Sequence, residues 1–162
     1  MPDRWIKRAM TDLIASPGPL FWEADPKYAA PYVELAGMQI QAKKWKEVAS
    51  ITDRGIRLDS FDYPELFFYN AVANYYMRNS AVAEKNVRQA LKLDNQHRFP
   101  QTAYLLGLIL LQRQDYAASA EQLQTYLKLA PDAEDAPIAK QKLEQIAKIT
   151  AQRDSAAPNQ DQ

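Results

Sequence analysis

The feature that most constrains the fold is a motif that recurs along the chain at a nearly constant interval. Similar apolar endings close at Leu58, Leu93 and Leu129, which are 35 and then 36 residues apart. Each ending follows two segments whose apolar residues have helical spacing. A period of this length is typical of a helix–turn–helix unit that buries its apolar face by stacking on copies of itself. The sequence therefore predicts a stack of three helix pairs.

Apolar spacing identifies the elements within each unit as helices. Between Leu35 and Leu58, apolar residues recur at intervals of three and four rather than two, with a break at Lys43-Lys44. No segment has the alternation of a convincing strand, and no Asn-Gly or Asp-Gly turn joins alternating segments. The predicted fold class is all-α, with the helices of each pair antiparallel.

The charge balance argues against several classes of partner. The chain of 162 residues has 20 Lys and Arg against 20 Asp and Glu, one histidine, and a pI near 6.6. A neutral chain has no general attraction for DNA, RNA or anionic lipid, so we expect no nucleic-acid partner. Cysteine is absent from the sequence, which excludes disulfides, thiolate metal sites and cysteine nucleophiles.

Compartment is predicted from the lack of targeting signals. No stretch reaches the roughly 20 apolar residues that a membrane-spanning helix needs. Residues 1–5 are charged and lack the apolar core of a secretory signal. We therefore expect a cytoplasmic protein with no direct membrane span, or a periplasmic or membrane-tethered module if the chain belongs to a longer protein.

The repeated residues resemble the tetratricopeptide repeat family. The third unit is most similar, through Leu106-Gly107 in its first helix, Tyr116 at the turn and Ser119 at the helix crossing. The other units match through Tyr32, Leu35-Ala36, Trp45, Val48, Ile56 and Leu58 in the first, and Asn70-Ala71, Tyr75-Tyr76, Ala83, Ala90, Leu91 and Leu93 in the second. The resemblance covers residues 27–131 and implies a right-handed α-solenoid. The second unit is expected to have a turn, at Asn79-Ser80, that is one residue short.

The residues outside the repeats predict a cover at each end of the stack. Residues 1–26 contain a predicted amphipathic helix, over 3–15, and a degenerate remnant of a further repeat. Residues 132–150 start with acidic residues that suit a helix N-terminus and continue as an amphipathic helix, which predicts a capping helix. Solenoids need such a polar-backed cap because their last repeat has no neighbour. Residues 151–162 have no apolar pattern and are predicted to be a disordered tail.

The search for catalytic chemistry is negative. His97 is the only histidine and lies in a predicted link between helix pairs, without a second imidazole for a metal site or proton relay. The four glycines are isolated, so there is no phosphate-binding loop, and neither Gly-x-Ser-x-Gly nor His-Glu-x-x-His occurs. We therefore predict that the protein is not an enzyme and has no cofactor or metal.

Charged clusters have both a functional and a structural interpretation. Acidic residues at helix ends can do acid–base work in a cleft, but they also favour the start of the following helix. Basic residues around a tryptophan can suit nucleic acid or a membrane, but they also describe a solvated face around a packed ring. The structural interpretation is favoured for all of them. The clusters are Asp59, Asp62 and Glu65; Asp132, Glu134 and Asp135; Lys43, Lys44 and Lys46 around Trp45; and Arg4, Lys7 and Arg8 beside Trp5.

In the tetratricopeptide family, the first helix of each pair lines a concave groove in which partners bind. The resemblance implies a groove that is aromatic and aliphatic, with Tyr69, Tyr76 and Tyr104 as anchors for an apolar helix or extended peptide. The alternative is that Tyr76, Leu108 and Leu111 are covered by the terminal helices. The implied lining is Ala30, Val33, Gly37, Ile40 and Gln41 from the first unit, Leu66, Tyr69, Ala73, Tyr76 and Met77 from the second, and Gln101, Tyr104, Leu108, Leu111 and Gln112 from the third.

One use of this groove in the family is not expected of this chain. Family members that grip the acidic C-terminal tails of chaperones clamp the carboxylates with Lys, Asn and Arg. Asn70 matches one of these places. The others are occupied by Val33, Gly37, Gln101 and Leu105.

The function predicted from the sequence is that of a non-catalytic scaffold or adaptor of bacterial type, which binds a protein or peptide partner in the groove. The alternative is a homo-oligomerisation module, for example a homodimer. It would associate through the end of the solenoid or through an aromatic segment that includes Phe21 and Trp22.

Overall fold

The computed structural model describes residues 29–59, 61–97 and 99–156. Within this part of the chain there are seven α-helices and no strand. The helices are α1 (Ala30–Gln41), α2 (Trp45–Leu58), α3 (Pro64–Tyr76), α4 (Ser80–Leu93), α5 (Gln101–Gln112), α6 (Tyr116–Leu129) and α7 (Ala136–Ala156). The all-α fold of three helix pairs is confirmed. The predicted N-terminal helix and repeat remnant, residues 1–26, lie outside the described residues.

The helices stack in the order expected of a solenoid. Each helix packs against the next along the chain, and the first helices of successive pairs also contact one another, α1 with α3 and α3 with α5. The core continues from pair to pair: Val87 of α4 packs with Leu106 of α5, and Leu123 of α6 packs with Ile146 of α7. Each pair therefore buries its apolar surface against its neighbours, as repeat proteins do.

The turns inside the three helix pairs have the same geometry although their sequences differ. The amide of Asn79 donates to the carbonyl of Asn74 at 2.8 Å and the amide of Arg78 to that of Tyr75 at 3.1 Å, which is a Schellman motif. The other two turns close with the same pair of bonds. The first residue after the C-cap is left-handed in each turn, with φ of 55° at Lys43, 66° at Arg78 and 63° at Gln114.

The sequence suggested a shortened turn in the second unit, but the difference in repeat length lies in the links between helix pairs. The turn at Asn79-Ser80 has the same length as the other two, so the expectation of a shortened turn is wrong. The longer interval arises between pairs, where residues 94–100 link α4 to α5 but only 59–63 link α2 to α3. A Schellman closure requires a set number of residues, whereas a surface link has no such closure and tolerates an insertion.

The last helix differs from its prediction at both ends. Sequence patterning assigned 132–150 to the capping helix and 151–162 to a disordered tail, but α7 starts later and continues to Ala156. Its last turns are placed by a tertiary contact: the guanidinium of Arg153 lies 5.3 Å from the ring centre of Tyr116 on α6. Apolar periodicity within the tail cannot reveal such a contact. The final residues of the tail lie outside the described part of the chain.

Candidate functional site

The first helices of the three pairs can be aligned through their common turns. They end at Gln41, Tyr76 and Gln112, each followed by the same closure. Counting back from these ends, the implied groove residues of the first and third units are equivalent, but all five of the second unit are displaced by one position towards the C-terminus. The equivalent residues of α3 are Glu65, Phe68, Val72, Tyr75 and Tyr76.

Burial agrees with the corrected alignment of α3. Leu66 and Ala73, which the sequence assigned to the groove, have no exposed surface. Leu66 packs in a core cluster with Tyr32, and Ala73 packs in another with Ala36 and Val48. Their assignment to the groove is wrong, because a shift of one residue turns a helix position by about 100° and moves it from the open face to the packed face.

The other residues implied as partner-binding keep some exposed surface. Tyr76 is 56% exposed, so the alternative that a terminal helix covers it does not hold among the described residues. Leu111 packs against a cluster that includes Ile146 of α7, which fits cover by the capping helix. Val33, Ile40, Tyr69, Met77 and Tyr104 are partly buried against core clusters, Leu108 is partly buried, and Gln112 is exposed.

Tyr76 is held in place by its neighbours. Its ring stacks on the indole of Trp45, with the ring centres 4.3 Å apart and the planes 10° from parallel. The ring of Tyr75 meets it edge-on at 5.5 Å. Because Trp45 begins α2 and Tyr76 ends α3, the stack joins two successive pairs and orders the phenol ring while leaving much of it exposed.

Tyr69 lies across α1. A Cβ on Gly37 would stand 3.9 Å from the hydroxyl oxygen of Tyr69. The phenol therefore lies against the surface of α1 that the missing side chain of Gly37 leaves open. Burial raises the pKa of Tyr69, and the negative charges of Glu65 and Glu34 raise it further. Both carboxylates therefore act on this hydroxyl, which lies over Gly37 of α1.

Tyrosines continue to the other end of the groove. The ring of Tyr104 lies 5.0 Å from that of Tyr126, which is fully buried and donates a hydrogen bond to the carboxylate of Asp135. Burial raises the pKa of Tyr126 above the normal range, and the bond and the charge of Asp135 raise it further. Burial also raises the pKa of Tyr104, with smaller contributions from Asp135, Tyr75 and Tyr76.

We expect the stability of the protein to fall as the pH rises above about 10. Below the unfolded-state pKa, near 10.0, Tyr126 is protonated in both states and contributes fully. Above it the unfolded state releases the proton first, so the free energy of unfolding falls until the folded pKa is reached.

Tyr126→Phe should be about 2 kcal/mol less stable at neutral pH, because it lacks the bond to a charged acceptor. It should also lose less stability at alkaline pH. Denaturant unfolding at a series of pH values measures both effects, and a parallel loss in the two proteins would contradict the second.

Solved structures show which fold these helix pairs form. No protein-family profile and no curated protein matches the sequence. The first TPR domain of human RPAP3 matches with a TM-score of 0.67 at 20% identity, over 82% of this chain and 99% of that one. The Yersinia enterocolitica chaperone SycD, in complex with a peptide of the translocator YopD, matches with a TM-score of 0.64 at 18% identity, over 74% and 92%. MamA matches with a TM-score of 0.69 at 16% identity, over 82% and 74%. This chain has the tetratricopeptide-repeat (TPR) fold.

In this fold α1, α3 and α5 are the first helices of successive pairs, and they contact one another along the stack. A further structure shows the first TPR of Spaghetti (RPAP3) bound to the HSP90 peptide SRMEEVD, with a TM-score of 0.68 at 20% identity over 78% of this chain and 96% of that one. A sequence identity this low concerns the fold alone.

Asn70, which the sequence matched to a clamp position of the TPR family, is part of the core. It is only 1% exposed. Its amide nitrogen donates to Thr52 Oγ1 and Asp53 Oδ1, both at 2.8 Å. Its amide oxygen accepts from Asn74 at 2.8 Å and from Asn86 at 2.6 Å. Asn70 thus joins α2, α3 and α4 of the TPR stack, and its side chain has no free group to offer a ligand.

Two polar residues singled out from the sequence, Asp59 and His97, lie in the links between the helix pairs. Asp59 accepts the backbone N–H of Phe61 at 2.8 Å and of Asp62 at 3.1 Å. His97 is exposed, with a left-handed φ of 50°. Residues 29–59, 61–97 and 99–156 contain no group of three or more His, Cys, Asp and Glu that could hold a metal ion. No helix in these ranges is long and apolar enough to cross a bilayer.

Proposed function

We propose that this chain is a non-catalytic TPR adaptor that binds an apolar segment of a partner protein in the groove of α1, α3 and α5. The observation that carries the proposal is Tyr76, which is 56% exposed and yet stacked face to face on Trp45. A large aromatic ring that is already ordered loses little conformational entropy when a partner covers it. Rings of this kind are the residues that most often dominate the energy of an interface.

Partly buried apolar side chains on α3 and α5 favour an apolar ligand. Val72 of α3 and Leu108 of α5 occupy equivalent positions and are both partly buried, as is Tyr75, whose ring meets that of Tyr76. A partner that buries an aromatic or aliphatic side chain against them removes more apolar surface from water. Two TPR proteins of the same fold bind peptides, RPAP3 a peptide of HSP90 and SycD a peptide of YopD, which supports a peptide segment as the class of ligand.

The groove is not suited to the acidic peptide that RPAP3 binds. The HSP90 peptide SRMEEVD carries three carboxylate side chains, whereas α1, α3 and α5 contain no Lys, Arg or His to pair with them. Desolvating such carboxylates without a cation is costly. We therefore propose a partner of different chemistry, and micromolar binding of SRMEEVD to this chain would contradict it.

The groove can be tested without knowing the natural partner. Peptides are selected from a random phage-displayed library on the full chain, and their dissociation constants are measured by calorimetry. We expect Tyr76→Ala to weaken binding about ten-fold, because it removes the preordered ring. Phe61→Ala is the matched control: Phe61 is also an exposed aromatic, at 75%, but it lies in the link between α2 and α3. Binding to Phe61→Ala should stay within about two-fold of wild type.

Three outcomes decide against the proposal. Circular dichroism must first show that both variants keep the wild-type helix content. If Tyr76→Ala then binds the selected peptides as tightly as the wild type, the groove is not their site. The same conclusion follows if Phe61→Ala weakens binding equally. If no peptide is selected and the chain sediments as a concentration-dependent oligomer, homo-oligomerisation replaces the adaptor function.

A further inference from the structure

We infer that the partner segment is basic, with a Lys or Arg next to its apolar anchors that contacts Glu34 and Glu65. This inference rests on the proposed function and deepens it, since it names the charge of the ligand. It also assigns two charged binding residues, Glu65 at a groove position of the corrected α3 alignment and Glu34 next to Val33 on α1.

Charge is divided unequally between the two helices of each pair. The chain as a whole is neutral. Nevertheless the groove helices α1, α3 and α5 contain only two charged residues, Glu34 and Glu65, and both are negative. The second helices, α2, α4 and α6, carry both signs. The helices that face the ligand therefore hold two negative charges with no positive charge among them, which favours a cationic partner.

The two carboxylates lie close to the same aromatic residue. Glu65 is one helical turn before Tyr69 on α3, and Glu34 projects from α1, over which the phenol of Tyr69 lies. The charges of both raise the pKa of the Tyr69 hydroxyl. A ligand that covers this phenol therefore comes within reach of both carboxylates.

One oxygen of Glu65 lacks a partner. Its Oε2 atom is shielded from solvent and accepts no hydrogen bond among the described residues. A shielded carboxylate oxygen without a donor is energetically unfavourable. The ammonium of Lys or the guanidinium of Arg supplies the opposite charge when it lies against the accessible part of the Glu65 side chain. Glu34 is exposed and free to take part in the same contact.

The nearest cations that follow the groove helices do not neutralise this pair. Lys43 and Arg78 come after the C-terminal ends of α1 and α3. At a rise of about 1.5 Å per residue, Lys43 is about 13 Å from Glu34 along α1, and Arg78 is about 20 Å from Glu65 along α3. Both separations exceed the Debye length of about 8 Å at physiological salt. Neither cation therefore compensates the negative charge near Tyr69.

Charge in the selected peptides provides the test. Peptides are selected from the same random library on the wild type and on a Glu34→Gln, Glu65→Gln double variant. We expect the wild-type pool to be enriched in Lys and Arg beside its apolar residues and the double-variant pool to lose that enrichment. Replacing the Lys or Arg of the best wild-type peptide by Glu should weaken its binding to wild type about ten-fold at low salt, and less at high salt. The same replacement should change binding to the double variant by about two-fold or less.

Glu121→Gln is the matched control, since Glu121 is an exposed carboxylate on α6, outside the groove helices. It should select the same basic peptides as the wild type. Tyr76-dependent peptides that are neutral or acidic would overturn this inference while the groove stands. Equal loss of preference in Glu121→Gln would also overturn it, because the preference would then reflect net charge. If no selected peptide depends on Tyr76, the proposed function fails and this inference fails with it.

Discussion

Gly55→Ala is expected to lower the free energy of unfolding by about 2 kcal/mol, although alanine is the better helix former. A Cβ at this position would lie 2.9 Å from the Cβ of Tyr32 and 2.8 Å from a methyl group of Leu66. The Cβ of Tyr32 is bonded to the backbone of α1, so the methyl group can be admitted only if α1 and α2 move apart. Chemical denaturation followed by circular dichroism measures the loss.

Gly37→Ala is the matched control in the same helix pair. Neither glycine has a positive φ, so alanine is compatible with both backbones. At Gly37 the new Cβ would meet only Tyr69, at 3.9 and 4.0 Å, which is ordinary van der Waals contact. We therefore expect Gly37→Ala to raise stability by about 0.5–1 kcal/mol through helix propensity. If Gly55→Ala proves as stable as Gly37→Ala, the close approach of α1 and α2 does not exclude a larger residue at position 55.

Asn70→Ala is expected to lower the free energy of unfolding by about 3 kcal/mol, more than Gly55→Ala does. Asn70 makes hydrogen bonds with side chains on α2, α3 and α4, and its partners Thr52 and Asn74 are themselves buried. The substitution leaves several polar groups without partners inside the stack, and each unsatisfied buried group carries a desolvation penalty. Thermal and denaturant unfolding of the variant and the wild type measure the difference.

Asn79→Ala separates this network effect from the general effect of removing an asparagine. Asn79 is exposed, and its side chain makes one bond, of 3.2 Å, to Asn74 Oδ1. Its backbone bond in the turn is retained in the variant. We expect a loss below about 1 kcal/mol. If Asn70→Ala is no more destabilised than Asn79→Ala, the bonds at the centre of the amide network contribute no more than the single bond at its edge.

The fold could be predicted from the sequence because each stacking repeat has the same pattern of apolar residues. The apolar endings at Leu58, Leu93 and Leu129 each close a second helix in the structure. One such ending would be compatible with many helical proteins. Three at a constant interval require three units of the same shape, and units of this shape can bury their apolar faces only against each other.

The groove residues of the second unit could not be read in the same way. In α5, the first helix of the third unit, the Leu106-Gly107 motif set the alignment, and the implied groove residues Tyr104 and Leu108 keep some exposed surface. In α3, apolar and aromatic residues occur on every side, including Phe67, Phe68 and Tyr69 in succession. A helix that is apolar all round has no sequence signal for its packed face. Only packing against α1, α2 and α4 shows that Leu66 and Ala73 are buried.

The sequence by itself determined the helix pairs, their number and their order, because these follow from local periodicity and from repetition along one chain. The tertiary structure decided the stack of Tyr76 on Trp45, the crowding around Gly55, the network of Asn70 and the contact of Arg153 with Tyr116. Each of these depends on the distance and crossing angle between helices that are separate in sequence. Those quantities are set by how all the side chains in the interface pack together, which no spacing within a single helix records.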